Sequence, residues 1–284
     1  MSEVTSASER FDRPIIIVST PRAGSTLLFE TLEQAPGLYA TGQESHWLIE
    51  DIQGLHPAAR GWDSNRLTAA DATPQIANAL AKEFYRQIRN RDGRPPSGRV
   101  RMLEKTPKNA LRIPLFDAVF PDAIFVYLYR DVRQTLGSMM EAWASGAFRT
   151  YPDLPGWTGY PWSLLLVRGW RDLIGQPLPV IVAHQWARTT QVMLDDLEKL
   201  PGERVRVVAH DRFLADPQAS TVRLAGDLGL GWDRELGPQL PLSKVTVSQP
   251  SADKWKRLER EIEAVMPIVA EADESARAFL AERR

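Results

Sequence analysis

Residues 19–26, Ser-Thr-Pro-Arg-Ala-Gly-Ser-Thr, combine side chains and backbone in a pattern suited to a tetrahedral anion. Arg22 supplies a fork of hydrogen-bond donors that fits phosphate or sulfate oxygens, and Gly24 lets the backbone approach such a ligand closely. The pattern is not a Walker A loop, because Ser25 stands where that loop has its lysine. The alternative is an ordinary strand-turn-helix in which Arg22 points into water.

Two potential proton acceptors, Glu44 and His46, follow a short strand predicted around residues 38–40. A carboxylate or an imidazole at such a position can take a proton from an alcohol. The alternative for Glu44 is that it caps the helix that follows.

Two cationic residues also follow predicted strands. Lys105 comes after a strand over 99–104, and its alternative is an ordinary surface lysine. Arg130 ends the most apolar strand of the chain, and Ser138 lies about two turns into the next helix, so both can face one anion. Asp131 invites a Walker B interpretation with magnesium, which the missing Walker A lysine disfavours.

Strands and helices alternate along the chain. Residues 15–18 form a buried-strand candidate, and a helix that Ser25 or Thr26 can cap begins at about Ser25. The alternation predicts an α/β fold with a doubly wound parallel sheet flanked by helices. Because ligands of open α/β sheets bind beyond the carboxyl ends of the strands, the polar residues above are expected to meet at one edge.

The domain prediction is a disordered N-terminal segment over 1–13 and a single domain over 14–284. Within that domain, residues 146–179 read as an acceptor-side insertion, rich in Pro, Gly and Trp. Its tryptophans either form a wall for an apolar acceptor or pack in the core.

Composition narrows the function. A net charge of -1 over 284 residues argues against nucleic acid as a partner, although a local basic pocket remains open. The chain has no apolar run of the roughly 18 residues that a membrane span needs, and a polar start, so a cytoplasmic protein is predicted. The chain has no cysteine, and its four histidines lack metal-ligand spacing, so no metal site is expected.

Several of these segments together resemble one family. Residues 19–28 resemble the 5′-phosphosulfate loop of sulfotransferases that use 3′-phosphoadenosine 5′-phosphosulfate (PAPS). Residues 126–133, Val-Tyr-Leu-Tyr-Arg-Asp-Val-Arg, followed by Ser138, resemble their 3′-phosphate motif. Further similar landmarks are Glu-Lys-Thr-Pro-Lys-Asn at 104–109 and His-Asp-Arg-Phe at 210–213. The resemblance implies the P-loop NTPase-like sulfotransferase fold.

Within the family, the pattern is most similar to the branch with tyrosylprotein sulfotransferases and related bacterial enzymes. The segments that carry this similarity are Pro-Arg-Ala-Gly-Ser-Thr at 21–26, Gly-Gln-Glu at 42–44, Leu-Ser-Lys-Val at 242–245, Ser248, and Lys-Trp at 254–255. The cytosolic branch would place a lysine where Arg22 stands.

The resemblance implies a role for each matching residue. The 5′-phosphosulfate is assigned to Arg22, Ala23, Gly24, Ser25 and Thr26. The 3′-phosphate is assigned to Arg130 and Ser138, and the rest of the nucleotide to Lys254 and His210, the latter standing where the family often has a tyrosine. Glu44 would be the general base, with His46 as the alternative, and Lys105 and Ser248 would stabilise the transferring group. The product would be 3′,5′-ADP, and the scheme requires no metal.

The function implied is sulfuryl transfer to a hydroxyl of a small-molecule acceptor, which could be lipid-like, a polyketide or a glycoside. A P-loop kinase or NTPase that uses ATP and magnesium is the first alternative. A nucleotide-binding module without catalysis is the second.

Overall fold

A mostly parallel sheet forms the centre of the protein. The computed structural model describes residues 7–246, 248 and 251–283. Its strands are β1 (Ile15–Val18), β2 (Leu38–Ala40), β3 (Arg89–Asn90), β4 (Arg101–Lys105), β5 (Ile124–Tyr129), β6 (Arg149–Tyr151), β7 (Trp162–Ser163) and β8 (Val205–Ala209). Within the described residues the main sheet has the order β3-β2-β4-β1-β5-β8, and β6 and β7 form a separate hairpin.

The pairing of β1 sets the topology. Ile15 lies opposite Leu103 of β4 and Ile124 of β5, and both neighbours run parallel to β1. Parallel neighbours need crossover connections, which the helices between them supply. The β2–β4 and β5–β8 pairs are parallel as well, whereas β3 at the edge is antiparallel. This arrangement confirms the predicted doubly wound α/β class.

Helices cover the sheet on both faces. They are α1 (Ala7–Arg10), α2 (Ser25–Leu32), α3 (His46–Glu50), α4 (Pro74–Gln87), α5 (Ile113–Val119), α6 (Val132–Ser145), α7 (Leu178–Leu197), α8 (His210–Ala215), α9 (Pro217–Asp227) and α10 (Glu259–Glu282). Along β1, Ile16 and Val18 pack in one apolar layer, while Ile15 and Ile17 pack in the opposite one. Successive strand residues face opposite sides, so a strand covered on both faces has to be continuously apolar.

The N-terminal segment departs from the sequence prediction. Residues 1–6 lie outside the described part of the chain, but the expected disorder is wrong for residues 7–13. Phe11 is 1% exposed, and its ring contacts Tyr85 at 5.9 Å and Phe120 at 5.3 Å. The backbone of Asp12 also donates to the carbonyl oxygen of Val100. An apolar anchor inside an otherwise polar stretch is difficult to detect without knowing which surface receives it.

No helix among the described residues is both long enough and apolar enough to cross a membrane.

Phe11→Ala should lower the free energy of unfolding by about 3 kcal/mol, because it deletes a buried ring and leaves a cavity. Urea denaturation measures this change. Tyr160→Ala is the matched control, since Tyr160 is 54% exposed and its loss should cost less than about 0.5 kcal/mol. Equal effects of the two substitutions would contradict the packing of the N-terminal segment.

Candidate active site

A cavity of about 1840 Å³ opens beyond the carboxyl ends of the parallel strands. Its wall contains residues that follow four of them: Arg22 after β1, Lys108 after β4, Arg130 after β5 and His210 after β8. The structure therefore brings together segments that are far apart in the sequence, at the edge where open α/β sheets bind ligands.

The loop after β1 is held in a form that exposes the beginning of α2. Arg22 has φ 67° and Gly24 has φ 98°. A Cβ atom on Gly24 would lie 2.5 Å from Cδ2 of His210, so glycine is required by both its conformation and its neighbour. Gly24, rather than Ser25 or Thr26, is the N-cap of α2, and no side chain caps this end. The first N–H groups of α2 and its dipole are thus directed at the cavity, which favours an anion.

The five loop residues contribute differently. Gly24, Ser25 and Thr26 line the cavity together with Arg22. Ala23 is 1% exposed, and its N–H donates to the carbonyl oxygen of Thr20 within the loop itself.

Arg22 and Arg130 lie side by side. Nη1 of Arg130 donates to the carbonyl oxygen of Arg22 at 3.1 Å, and Nε of Arg22 donates to Oγ of Ser138 at 3.3 Å. Burial, and then the charge of Arg22, lower the pKa of Arg130 to about 10. Burial also lowers the pKa of Arg22. Neither guanidinium forms an ion pair with a described carboxylate, although the more distant charges of Glu141 and Glu44 raise the pKa of Arg22 in part.

Lys105 connects the candidate base to the loop. Its ammonium donates to Oε1 of Glu44 and to Oγ1 of Thr26, both at 3.0 Å. The Lys105 side chain is 3% exposed, whereas that of Glu44 is 35% exposed. The buried lysine therefore holds an accessible carboxylate beside the N-terminus of α2.

His46 also lines the cavity, at the first position of α3. Burial, followed by the charge of Lys108, lowers the pKa of His46, so the imidazole is neutral near pH 7. His46 is thus in a protonation state that can accept a proton, and it lines the same cavity as Glu44.

His210 occupies the other side of the loop. Burial, followed by the charge of Arg130, lowers the pKa of His210 to about 3. A neutral ring packed against Gly24 adds no further positive charge to the site.

Ser248 and Lys254 meet on a residue that the sequence analysis missed. Ser248 Oγ donates to Oε1 of Glu141 at 2.7 Å, and the Lys254 ammonium forms an ion pair with Glu141 and a hydrogen bond to Ser248. Glu141 lies three residues after Ser138 on α6, so it occupies the same helix face. That spacing is the sequence signal that could have identified it.

A second charged cluster was also missed. Glu50, Lys108 and Arg112 are nearly or fully buried and form two ion pairs, with Glu50 shared between them. The Lys108 ammonium also donates to the hydroxyl of Tyr151. Burial is the main reason why the pKa of Lys108 is lowered to about 8. The sequence motif at 104–109 contained Lys108, but nothing local predicts its partner on α3.

The segment over 146–179 contributes to the cavity without its tryptophans. Trp162 and Trp170 are fully buried and pack edge to face at 6.0 Å in a core cluster. The residues of this segment that line the cavity include Phe148, Tyr151 and Leu164. The Phe148 ring centre lies 4.6 Å from the guanidinium of Arg22, so this segment contacts the loop after β1 directly. Of the two alternatives for the tryptophans, core packing is correct for Trp162 and Trp170.

Asp131 has a structural function. Its carboxylate accepts a hydrogen bond from the N–H of Gln134 at 3.1 Å and caps α6. Across the described ranges, no group of three or more His, Asp or Glu residues is arranged to hold a metal ion.

Known proteins resemble this chain in sequence. A family model described as the Sulfotransferase family matches residues 14–234. The chain is 21% identical over 226 residues to a putative protein-tyrosine sulfotransferase from Caenorhabditis briggsae, covering 80% of this chain and 69% of that protein. It is 28% identical over 167 residues to trehalose 2-sulfotransferase from Mycobacterium tuberculosis, covering 50% of this chain and 61% of that protein. The chain thus spans 69% or less of the length of these relatives.

A solved structure supports the fold. Sulfotransferase STF1 from Mycobacterium tuberculosis superimposes with a TM-score of 0.50 at 15% identity, covering 92% of this chain and 77% of that one. The expected sulfotransferase fold is confirmed.

His210 should make the stability depend on pH. Because its folded-state pKa is about 3 against 6.5 ordinarily, the unfolded chain takes up a proton below pH 6.5 that the folded protein does not. Stability is therefore lost as the pH falls, by about 2 kcal/mol at pH 5. Urea denaturation at pH 7 and pH 5 should show this loss in the wild type but not in His210→Gln, and parallel losses would contradict it.

Proposed function

The chain belongs to the Sulfotransferase family, and from that premise we propose that it transfers the sulfuryl group of PAPS to a hydroxyl of an acceptor. The observation that carries the proposal is that Arg22 and Arg130 lie side by side. Two guanidinium groups lie partly buried beside an uncapped helix N-terminus without an acidic partner among the described residues. Such a site is stable with an anion between the charges, and PAPS carries phosphate at one end and phosphosulfate at the other.

The cofactor roles follow the resemblance. Arg22 and the loop that ends at Thr26 bind the 5′-phosphosulfate. Arg130 and Ser138 bind the 3′-phosphate. Lys254 and His210 contact the remainder of the nucleotide, and Glu141 holds Lys254 in place through its ion pair.

The transfer step uses Glu44 and Lys105. Glu44 removes the proton from the acceptor hydroxyl as its oxygen forms a bond to sulfur. The bond between sulfur and the 5′-phosphate oxygen breaks, and 3′,5′-ADP leaves with the negative charge. Lys105, which lies against both Glu44 and Thr26, stabilises that charge, and Ser248 assists it.

The acceptor is proposed to be a small molecule whose hydroxyl sits on an apolar body. Although Lys108 and Tyr151 line the cavity, they have little capacity left for a ligand. The three N–H groups of Lys108 are directed to both oxygens of Glu50 and to Tyr151. The Tyr151 oxygen accepts a second hydrogen bond from Asn65 and donates to Glu50.

With those polar groups already satisfied, the acceptor meets mainly the apolar surfaces of Phe148 and Leu164. This favours a phenol, a lipid-like alcohol or a polyketide over a glycoside. One relative is named for tyrosine in proteins and another for the sugar trehalose, and the wall agrees better with the aromatic hydroxyl. Faster turnover of trehalose than of a phenol or a long-chain alcohol would contradict this choice.

A kinase or NTPase that uses ATP and magnesium is the alternative. Ser25 replaces the Walker A lysine, and the Asp131 carboxylate caps α6, so the site lacks the residues that this alternative needs. Isothermal titration with 3′,5′-ADP, 5′-AMP and magnesium-ATP separates the two. Preference for 3′,5′-ADP supports PAPS, whereas preference for magnesium-ATP would overturn the proposal.

Arg130→Ala should weaken 3′,5′-ADP binding by about 10-fold to 100-fold, because a charge-assisted contact to the 3′-phosphate is lost. Titration calorimetry measures the affinity. Arg133→Ala is the matched control, since Arg133 lies three residues later, in the first turn of α6, and is paired with Glu263 at the surface. Equal affinities of the Arg130 variant and the wild type would remove Arg130 from the cofactor site.

Glu44→Gln should reduce kcat by at least ~100-fold, because the amide cannot accept the hydroxyl proton, while 3′,5′-ADP affinity stays near normal. Labelled PAPS with a panel of phenols and long-chain alcohols provides the assay. His46→Gln distinguishes the two candidate bases. If the loss appears in that variant and not in Glu44→Gln, His46 is the base.

A further inference from the structure

Glu104, the residue before Lys105, is a carboxylic acid in the interior of the protein. Its side chain is 0% exposed, and one oxygen, Oε1, accepts all of its hydrogen bonds. The donors are the hydroxyls of Ser45 and Thr106 and the amide of Asn109. The other oxygen, Oε2, has no partner among the described residues. A buried carboxyl group with this arrangement is costly, which calls for a function that an apolar side chain could not perform.

Ser45 is used in an unusual way for its position. It is the N-cap of α3, where a serine hydroxyl ordinarily accepts a hydrogen bond from the first turn of the helix. No such bond is present, and the hydroxyl instead donates to Glu104. The N–H of Ser45 donates to Oγ1 of Thr106 at 2.8 Å. The hydroxyl and the N–H of Ser45 are therefore both directed at the end of β4 and the residue after it, and the hydroxyl does not cap α3.

These contacts align two short segments residue by residue. Ser45 is bound to Glu104 and Thr106, and the residue before it, Glu44, is bound to the residue between those two, Lys105. Shifting Ser45 away from β4 would move Glu44 as well, because the two are adjacent in the chain.

Burial acts on Glu104 against its hydrogen bonds. Burial raises the pKa of Glu104 more than the hydrogen bonds from Ser45, Thr106 and Asn109 lower it. The ammonium of the next residue, Lys105, is directed at Glu44 and Thr26.

We infer that Glu104 is a positioning residue that, through Ser45, fixes Glu44 against Lys105 in the geometry needed to take the acceptor proton. The inference rests on the proposed function for its kinetic consequence. Its structural part, the dependence of the contact between Glu44 and Lys105 on Glu104 and Ser45, does not.

The test compares Glu104→Leu and Ser45→Ala, which break the alignment, with Glu104→Gln, which keeps an acceptor oxygen in an uncharged group of the same shape. Crystal structures should show the 3.0 Å contact between Glu44 and Lys105 retained in Glu104→Gln and lost in the other two. The kcat should fall at least ~10-fold in those two, with 3′,5′-ADP affinity within about twofold of wild type. A merely structural role would not separate kcat from cofactor affinity.

Thr190→Val is the matched control, because it removes a buried hydroxyl that has no described partner and lies on α7. If Glu104→Leu does not fold, Ser45→Ala still decides the question. A retained contact and unchanged kcat in Ser45→Ala would overturn the inference, and so would a loss in Glu104→Gln as large as that in Glu104→Leu. A wild-type protein that binds no 3′,5′-ADP would count against the proposed function, and the crystal structures would then decide the inference alone.

Discussion

A hydrogen bond from Arg130 to the carbonyl oxygen of Arg22 holds two like charges together at the edge of the sheet. Burial and mutual repulsion both disfavour the charged state of Arg130, which is why its pKa falls to about 10. The fold produces this arrangement, since β1 and β5 are parallel neighbours and the loops that leave their carboxyl ends begin side by side. An anion between the guanidinium groups would relieve the repulsion. The electrostatics of the site and the topology of the sheet therefore favour the same class of ligand.

The lysines of the cavity are treated differently from these arginines. Lys254 is paired with Glu141, and Lys108 with Glu50. Each pair limits the movement of a long side chain and reduces its attraction for a ligand. Neither Arg22 nor Arg130 forms an ion pair with a described carboxylate. The positive potential is therefore concentrated around the loop after β1, where α2 adds its dipole. Pairing thus fixes the positions of Lys254 and Lys108, whereas Arg22 and Arg130 have no ion-pair partner among the described residues.

The wall supplied by residues 146–179 shows how composition can mislead. Tryptophan content suggested a surface for an apolar acceptor, yet Trp162 and Trp170 pack in the core. The cavity wall is formed instead by Phe148, Tyr151 and Leu164. The Tyr151 hydroxyl donates to Glu50. Large aromatic side chains remove the most apolar area from water when they are buried, so burial is their favoured place in a folded domain.

The sequence by itself determined the parts that depend on local order. The continuous apolar run of β1, the turn at Gly24 and the polar residues at the ends of β4 and β5 could all be predicted, because strand periodicity and loop conformation are properties of neighbouring residues. Since ligands of parallel sheets bind beyond the carboxyl ends of the strands, the expectation that Glu44 and Arg130 face one cavity needed only the order of the elements.

Only the tertiary structure decided which charges are paired and which groups are buried. Glu141, the partner of Ser248 and Lys254, and Glu104, the partner of Ser45, are separated from those residues by long stretches of chain. The residues around a carboxylate in the sequence do not show which partner it will have or how exposed it will be. The pKa of a group and its hydrogen bonds depend on the dielectric and the donors around it, and these exist only once distant segments have packed together.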